Sequence, residues 1–89
     1  MKELEELGAR VRHHRVAQGL KQQELAAKAA VSKHVLSALE NGRSVTVESL
    51  ARVLQGLGFR DALKDLLPEP LPSPIELQKL AGRQRQRVR

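Results

Sequence analysis

The sequence predicts an all-α fold: a five-helix domain, then a Pro-rich linker and a basic C-terminal extension. Three observations predict it. Apolar residues recur at three- and four-residue spacing in successive segments, and residues 1–67 show no strand-like alternation. Glycines and small polar caps fall between those segments. The chain has one phenylalanine, no tryptophan and no tyrosine. Its core must therefore be leucine, valine and alanine, which favours close helix packing over a large ligand cavity.

The first helix is expected from about Lys2 to Ala17. Leu4, Leu7 and Val11 form its apolar stripe, Glu3, Glu5 and Glu6 suit its positive N-terminal dipole, and Gly19 ends it. Two short helices joined by a tight turn follow in residues 20–43, LKQQELAAKAAVSKHVLSALENGR. Leu25, Ala26 and Ala29 lie on one side of the second helix. Val31, Leu36 and Leu39 face the same core from the turn and the third helix. Ser32 sits where an N-cap belongs, Lys33, His34, Ser37 and Ala38 project outward behind it, and Gly42 stops the helix. The fourth helix starts at Thr46 and runs to about Leu57, burying Leu50, Val53, Leu54 and Leu57, with Gly58 as breaker. A fifth covers roughly Arg60 to Leu67, with Leu63, Leu66 and Leu67 apolar.

Residues 1–67 thus form one domain and 68–89 an appendage. The linker PEPLPSP, residues 68–74, cannot continue a helix and favours an extended connector. Ser73, Pro74 and Glu76 repeat a helix-start signature, so a short helix from about Pro74 to Ala81 is expected, carrying Ile75, Leu77 and Leu80. The end, GRQRQRVR, spaces Arg83, Arg85, Arg87 and Arg89 two apart. They fit a DNA-binding arm, a dimer element or a surface for a protein partner; the plain alternative is a solvated charged tail.

Composition excludes several classes. The absence of cysteine removes disulfides and thiolate metal sites. No apolar run approaches the ~20 residues of a membrane span and no signal peptide opens the chain, so a cytoplasmic protein without a membrane partner is expected. His13 and His14 are adjacent and would point about 100° apart on a helix, a poor grip for one ion. No serine stands in a nucleophile elbow, and Gly56-Leu57-Gly58 lacks the strand and third glycine of a dinucleotide loop. No enzyme activity, cofactor, metal or small-molecule ligand is expected. The net charge is +6. Residues 1–67 hold 11 Lys/Arg against 8 Asp/Glu, and residues 68–89 hold 5 against 2. An excess of this sign favours nucleic acid or an acidic partner, though modest charge also serves solubility.

A helix, a tight turn and a second helix with a small polar N-terminus make the pattern that reads DNA in the major groove. The chain resembles the lambda-repressor-like, Cro-type helix-turn-helix (XRE) family over about residues 7–58. Arg15, Gly19, Leu20, Gln22, Glu24, Leu25, Ala26, Ala30, Val31, Ser32, Leu36, Ser37, Leu39, Glu40 and Gly42 carry the likeness. Two residues depart from the family pattern. Ala30 replaces the usual turn glycine, so that residue either needs no positive φ or tolerates strain. Lys33 replaces a frequent glutamine at the start of the recognition helix, so the family pattern does not fix the base preference.

The resemblance implies a sequence-specific regulator of double-stranded DNA, a homodimer repressing at an inverted repeat. A recognition helix enters the groove by its N-terminal end, so Ser32, Lys33 and His34 come nearest the bases. Lys33 can donate to guanine O6 or N7, His34 to the same acceptors or to a phosphate, and Val35 can meet a thymine methyl. Ser37 and Ala38 follow one turn on. The plain alternative for Lys33 and His34 is a solvated helix face. Gln22, Asn41, Arg43 and Ser44 match phosphate-holding positions, Lys21 adds charge beside them, and Arg15 with Glu40 matches a partly buried structural pair. Leu63, Leu66 and Leu67 match the dimer interface. The size and extension also resemble those of HipB-like antitoxins, which implies a toxin kinase as a further partner.

Overall fold

The computed structural model describes residues 1–67, 69 and 70. Their five helices are α1 (Lys2–Ala17), α2 (Gln22–Ala29), α3 (Lys33–Glu40), α4 (Val47–Gly56) and α5 (Ala62–Leu66). There is no strand among the described residues. The helix expected over 74–81 and the four tail arginines lie outside them.

The caps expected from the sequence form. The Ser32 hydroxyl accepts the Val35 N–H at 3.0 Å, and the Thr46 hydroxyl accepts that of Ser49 at 3.0 Å. Each satisfies one of the first-turn donors that a helix cannot pair internally. At α2 the reverse contact serves: Glu24 accepts the Lys21 N–H at 2.7 Å.

The first four helices end in the same way. In each, a residue with positive φ turns the chain, and the next N–H reaches back five residues to a last-turn carbonyl. These closures are Leu20 to Arg15, Val31 to Ala26, Arg43 to Ala38 and Phe59 to Leu54, all between 2.9 and 3.1 Å. Glycine makes three of these turns, and Ala30 makes the fourth at φ 60°, ψ 41°. Of the two alternatives for Ala30, strain is the one adopted: the left-handed conformation is required, and an alanine supplies it. Turning there brings Val31 onto the core immediately after Ala29 is buried.

The core is Val11, Leu25, Ala26, Ala29, Leu36, Leu39, Val53 and Leu57, with Leu7, Leu20, Val31, Val45, Leu50 and Leu54 packed around it. It is aliphatic, as the composition requires. Phe59 stays 43% exposed and sets its ring edge-on to His14, with centroids 5.1 Å apart. The Gln18 side chain donates to the Leu57 carbonyl at 2.8 Å, tying the end of α1 to the end of α4.

One helix is shorter than expected. The span from Arg60 to Leu67 contracts to five residues, because Arg60 and Asp61 are used in the turn out of α4. At the other end Leu67 is extended, at φ −138° and ψ 101°. It precedes Pro68, whose ring disfavours helical backbone in the residue before it.

Candidate nucleic-acid interface

The N-terminal end of α3 is the end that the motif singles out, and the rest of the domain holds that end outward. Ser32, Lys33 and His34 are exposed. Val35, Ser37 and Ala38 are half-buried, while Leu36 and Leu39 on the opposite side are fully buried. The alternation follows from helix geometry. Positions 36 and 39 share the core face, 34 falls opposite them, and 33 and 37 lie on the flank between.

The charge at this end is unusual for the molecule. Every other helix among the described residues carries an acidic residue in its first turn: Glu3 and Glu5 in α1, Glu24 in α2, Glu48 in α4 and Asp65 in α5. The first turn of α3 has none and carries Lys33 and His34 instead. A cation at the positive end of a helix dipole is unfavourable by a few tenths of a kcal/mol to about 1 kcal/mol. An anion brought to that end reverses the sign. This inversion was readable in the sequence once the caps were placed, and the spacing of apolar residues did not reveal it.

Behind α3 stands a hydrogen-bonded network that joins three helices. The Arg15 guanidinium grips Glu40 with two bonds, Nε to Oε2 at 2.7 Å and Nη2 to Oε1 at 3.1 Å, and its Nη1 donates to the Leu20 carbonyl at 2.8 Å. The side chains keep only 12% and 3% of their surface accessible, so this pair is desolvated. Removing one partner would strand the other's charge, at about 3–5 kcal/mol. Gln22, the first residue of α2, joins the same carboxylate: its Nε2 donates to Glu40 Oε1 at 3.0 Å. The Gln22–Glu40 bond spans 18 positions and was not foreseen.

The backbone of α1 also lies against the far end of α3. A methyl group on Gly8 would overlap the Leu39 carbonyl oxygen and stand 2.9 Å from that of Glu40. One on Gly42, which has φ +78°, would stand 2.8 Å from Cγ and 2.9 Å from Cα of Glu5. The role of Gly8 was missed. Its one signal is its place on the face of α1 shared with Leu4, Val11 and Arg15.

The residues expected to hold phosphates sit around this frame. Lys21, Asn41, Arg43 and Ser44 are exposed in the loops that flank α2 and α3, and Gln22 is half-buried. The Asn41 side chain donates to Ser37 Oγ at 3.4 Å, which leaves that hydroxyl proton free to point away. Arg52, unremarked in the sequence, donates to the Ala30 carbonyl at 3.4 Å and to Glu48 at 2.8 Å, and so closes the end of α2. On α5 and just past it, Leu63, Leu66 and Leu67 are exposed by 48%, 59% and 83%.

No group of three or more His, Asp or Glu among the described residues could hold a metal ion. No helix among them is long and apolar enough to cross a membrane.

A capped recognition helix, held by its far end and presenting basic residues at its near end, defines a DNA-binding helix-turn-helix. The chain belongs to the helix-turn-helix domain family, whose model matches residues 6–67. That match covers α2 to α5 and α1 from residue 6 onward. No curated protein matches the chain.

Proposed function

We propose that this protein is a sequence-specific transcriptional regulator of the XRE type that binds double-stranded DNA as a homodimer, represses at an inverted repeat, and works in the cytoplasm without a cofactor. The observation that carries it is the inverted first turn of α3, where Lys33 and His34 replace the acid found in every other helix of the described residues. Such a turn is stabilised when an anion meets it, and the groove of DNA supplies both the anion and the bases to read. Ser32, Lys33, His34, Val35, Ser37 and Ala38 read base edges. Lys21, Gln22, Asn41, Arg43 and Ser44 hold the phosphates.

The exposed leucines of α5 support the dimer. Two recognition helices reading successive major grooves must stand ~34 Å apart, which calls for a fixed contact between two copies. Leu63 and Leu66 supply an apolar face for it that the core leaves uncovered. A monomer in solution would leave that face to a partner of another sequence, as an antitoxin seated on a toxin kinase requires.

Selection of bound duplexes from a random pool tests the reading. An inverted repeat should emerge, and Lys33→Ala or His34→Ala should relax one base pair by about 1–3 kcal/mol each. Arg43→Ala should weaken all sequences alike and lower the salt slope by about 1. Equal binding to every duplex would overturn sequence-specific regulation.

A further inference from the structure

We propose that Glu40, beyond its structural pairing with Arg15, is a positioning residue for the DNA backbone and acts through the side chain of Gln22. The inference rests on the DNA-binding reading and deepens it. The Glu40 carboxylate is a pure acceptor, and all its contacts come from cationic or amide donors: Arg15 Nε, Arg15 Nη2 and Gln22 Nε2. A carboxylate cannot donate, so Gln22 must turn its nitrogen, not its oxygen, toward Glu40. The amide is thereby fixed in one orientation. One of its two protons is taken, and the other is left at the half-exposed start of α2.

The same location explains why a carboxylate can serve so close to a polyanion. The two-bond grip of Arg15 neutralises it, and its side chain keeps 3% of its surface accessible, so an approaching phosphate meets the amide and not the acid. Gln22 then bridges two anions with one NH2 group, giving one proton to each. Because the side chain is already ordered in the free protein, DNA does not have to immobilise it.

Two measurements test this. The first is the side-chain amide resonance of Gln22. In the free protein one of its two protons should be shifted downfield and protected from exchange, and in Glu40→Gln that signature should collapse. On titration with an operator duplex the other proton should move. The second is a double-mutant cycle on DNA affinity, run well below the melting temperature of each variant. Gln22→Ala and Glu40→Gln should each weaken binding about threefold to tenfold, the range for one lost hydrogen bond. Together they should weaken it no more than Gln22→Ala alone. If Glu40→Gln cost the same factor on the Gln22→Ala background, Glu40 would act through the fold only and the proposal would fail. If Glu40→Gln did not fold, the decision would pass to the wild-type resonances: a Gln22 amide pair with the shifts and fast exchange of a solvent-exposed glutamine would overturn it. Wild-type protein that bound no duplex would refute DNA binding itself, while the free-protein resonance would still report on the Gln22–Glu40 bond.

Discussion

Replacing Gly8 with alanine tests the seam between α1 and α3. On an exposed helix surface this change stabilises by about 1 kcal/mol, because alanine is the better helix former. Here the added methyl would overlap the Leu39 carbonyl oxygen and stand 2.9 Å from that of Glu40. Both neighbours are backbone and cannot rotate away. To restore ordinary contact, α1 must retreat from α3 by about 1 Å. Overpacking a rigid contact costs about 1–3 kcal/mol, and backbone neighbours place it at the upper end. Set against the propensity gain, a net loss of about 2 kcal/mol remains, which lowers the melting temperature by roughly 8–16 °C in a domain of this size. The retreat would also strain the Arg15–Glu40 bonds, so recognition should weaken in the same variant. Thermal unfolding by circular dichroism measures the first effect and DNA titration the second. Ala9→Gly, at the exposed neighbouring position, is the control and should lose about 1 kcal/mol by propensity alone. A Gly8→Ala protein as stable as the wild type would refute the close approach of the two backbones.

Three further outcomes are expected. Ala30→Gly should raise the melting temperature, since alanine in the left-handed region carries about 1–2 kcal/mol of strain that glycine relieves, less the glycine's greater unfolded-state entropy; a decrease would place the strain elsewhere. Ser32→Ala removes the N-cap bond to Val35 and should cost about 1 kcal/mol in a urea titration with an unchanged slope. Leu63→Glu should shift sedimentation toward the monomer while moving stability by no more than about 0.5 kcal/mol, because the side chain is already half exposed; an unchanged dimer would move the interface away from α5.

Most of the helical frame was legible because local chemistry specifies it. Ser32 and Thr46 announce helix starts by what their hydroxyls can accept. Gly19, Gly42 and Gly58 announce stops by the φ they allow. Leu25, Leu36, Leu39 and Val53 announce the core by spacing. The details that escaped belong to tertiary contact. Nothing adjacent to Ala30 says that the chain must turn left-handed there; the demand comes from seating both Ala29 and Val31. Nothing adjacent to Gly8 says that two carbonyls of α3 will arrive against it. The tie from Gln22 to Glu40 joins residues whose own neighbours suit solvent. The length of α5 was overestimated because the leucine spacing was read without the turn that consumes Arg60 and Asp61. The residues proposed to read bases were chosen from their place in the motif; Ser32, Lys33 and His34 are exposed, while Val35, Ser37 and Ala38 are half-buried.

Every tie between α1 and α3 described above falls at the C-terminal end of α3: Gly8 on Leu39 and Glu40, Glu5 on Gly42, Arg15 on Glu40. The recognition helix is mounted like a drill bit in a chuck, gripped at the shank and free at the tip. Substitutions at Lys33 and His34 therefore leave the grip untouched. If Lys33 and His34 read bases as proposed, new specificities become accessible by single steps that carry little stability penalty, while changes at residues 5, 8, 15 and 40 are filtered by folding first. A lineage built on this mounting can diversify its targets quickly and its scaffold slowly.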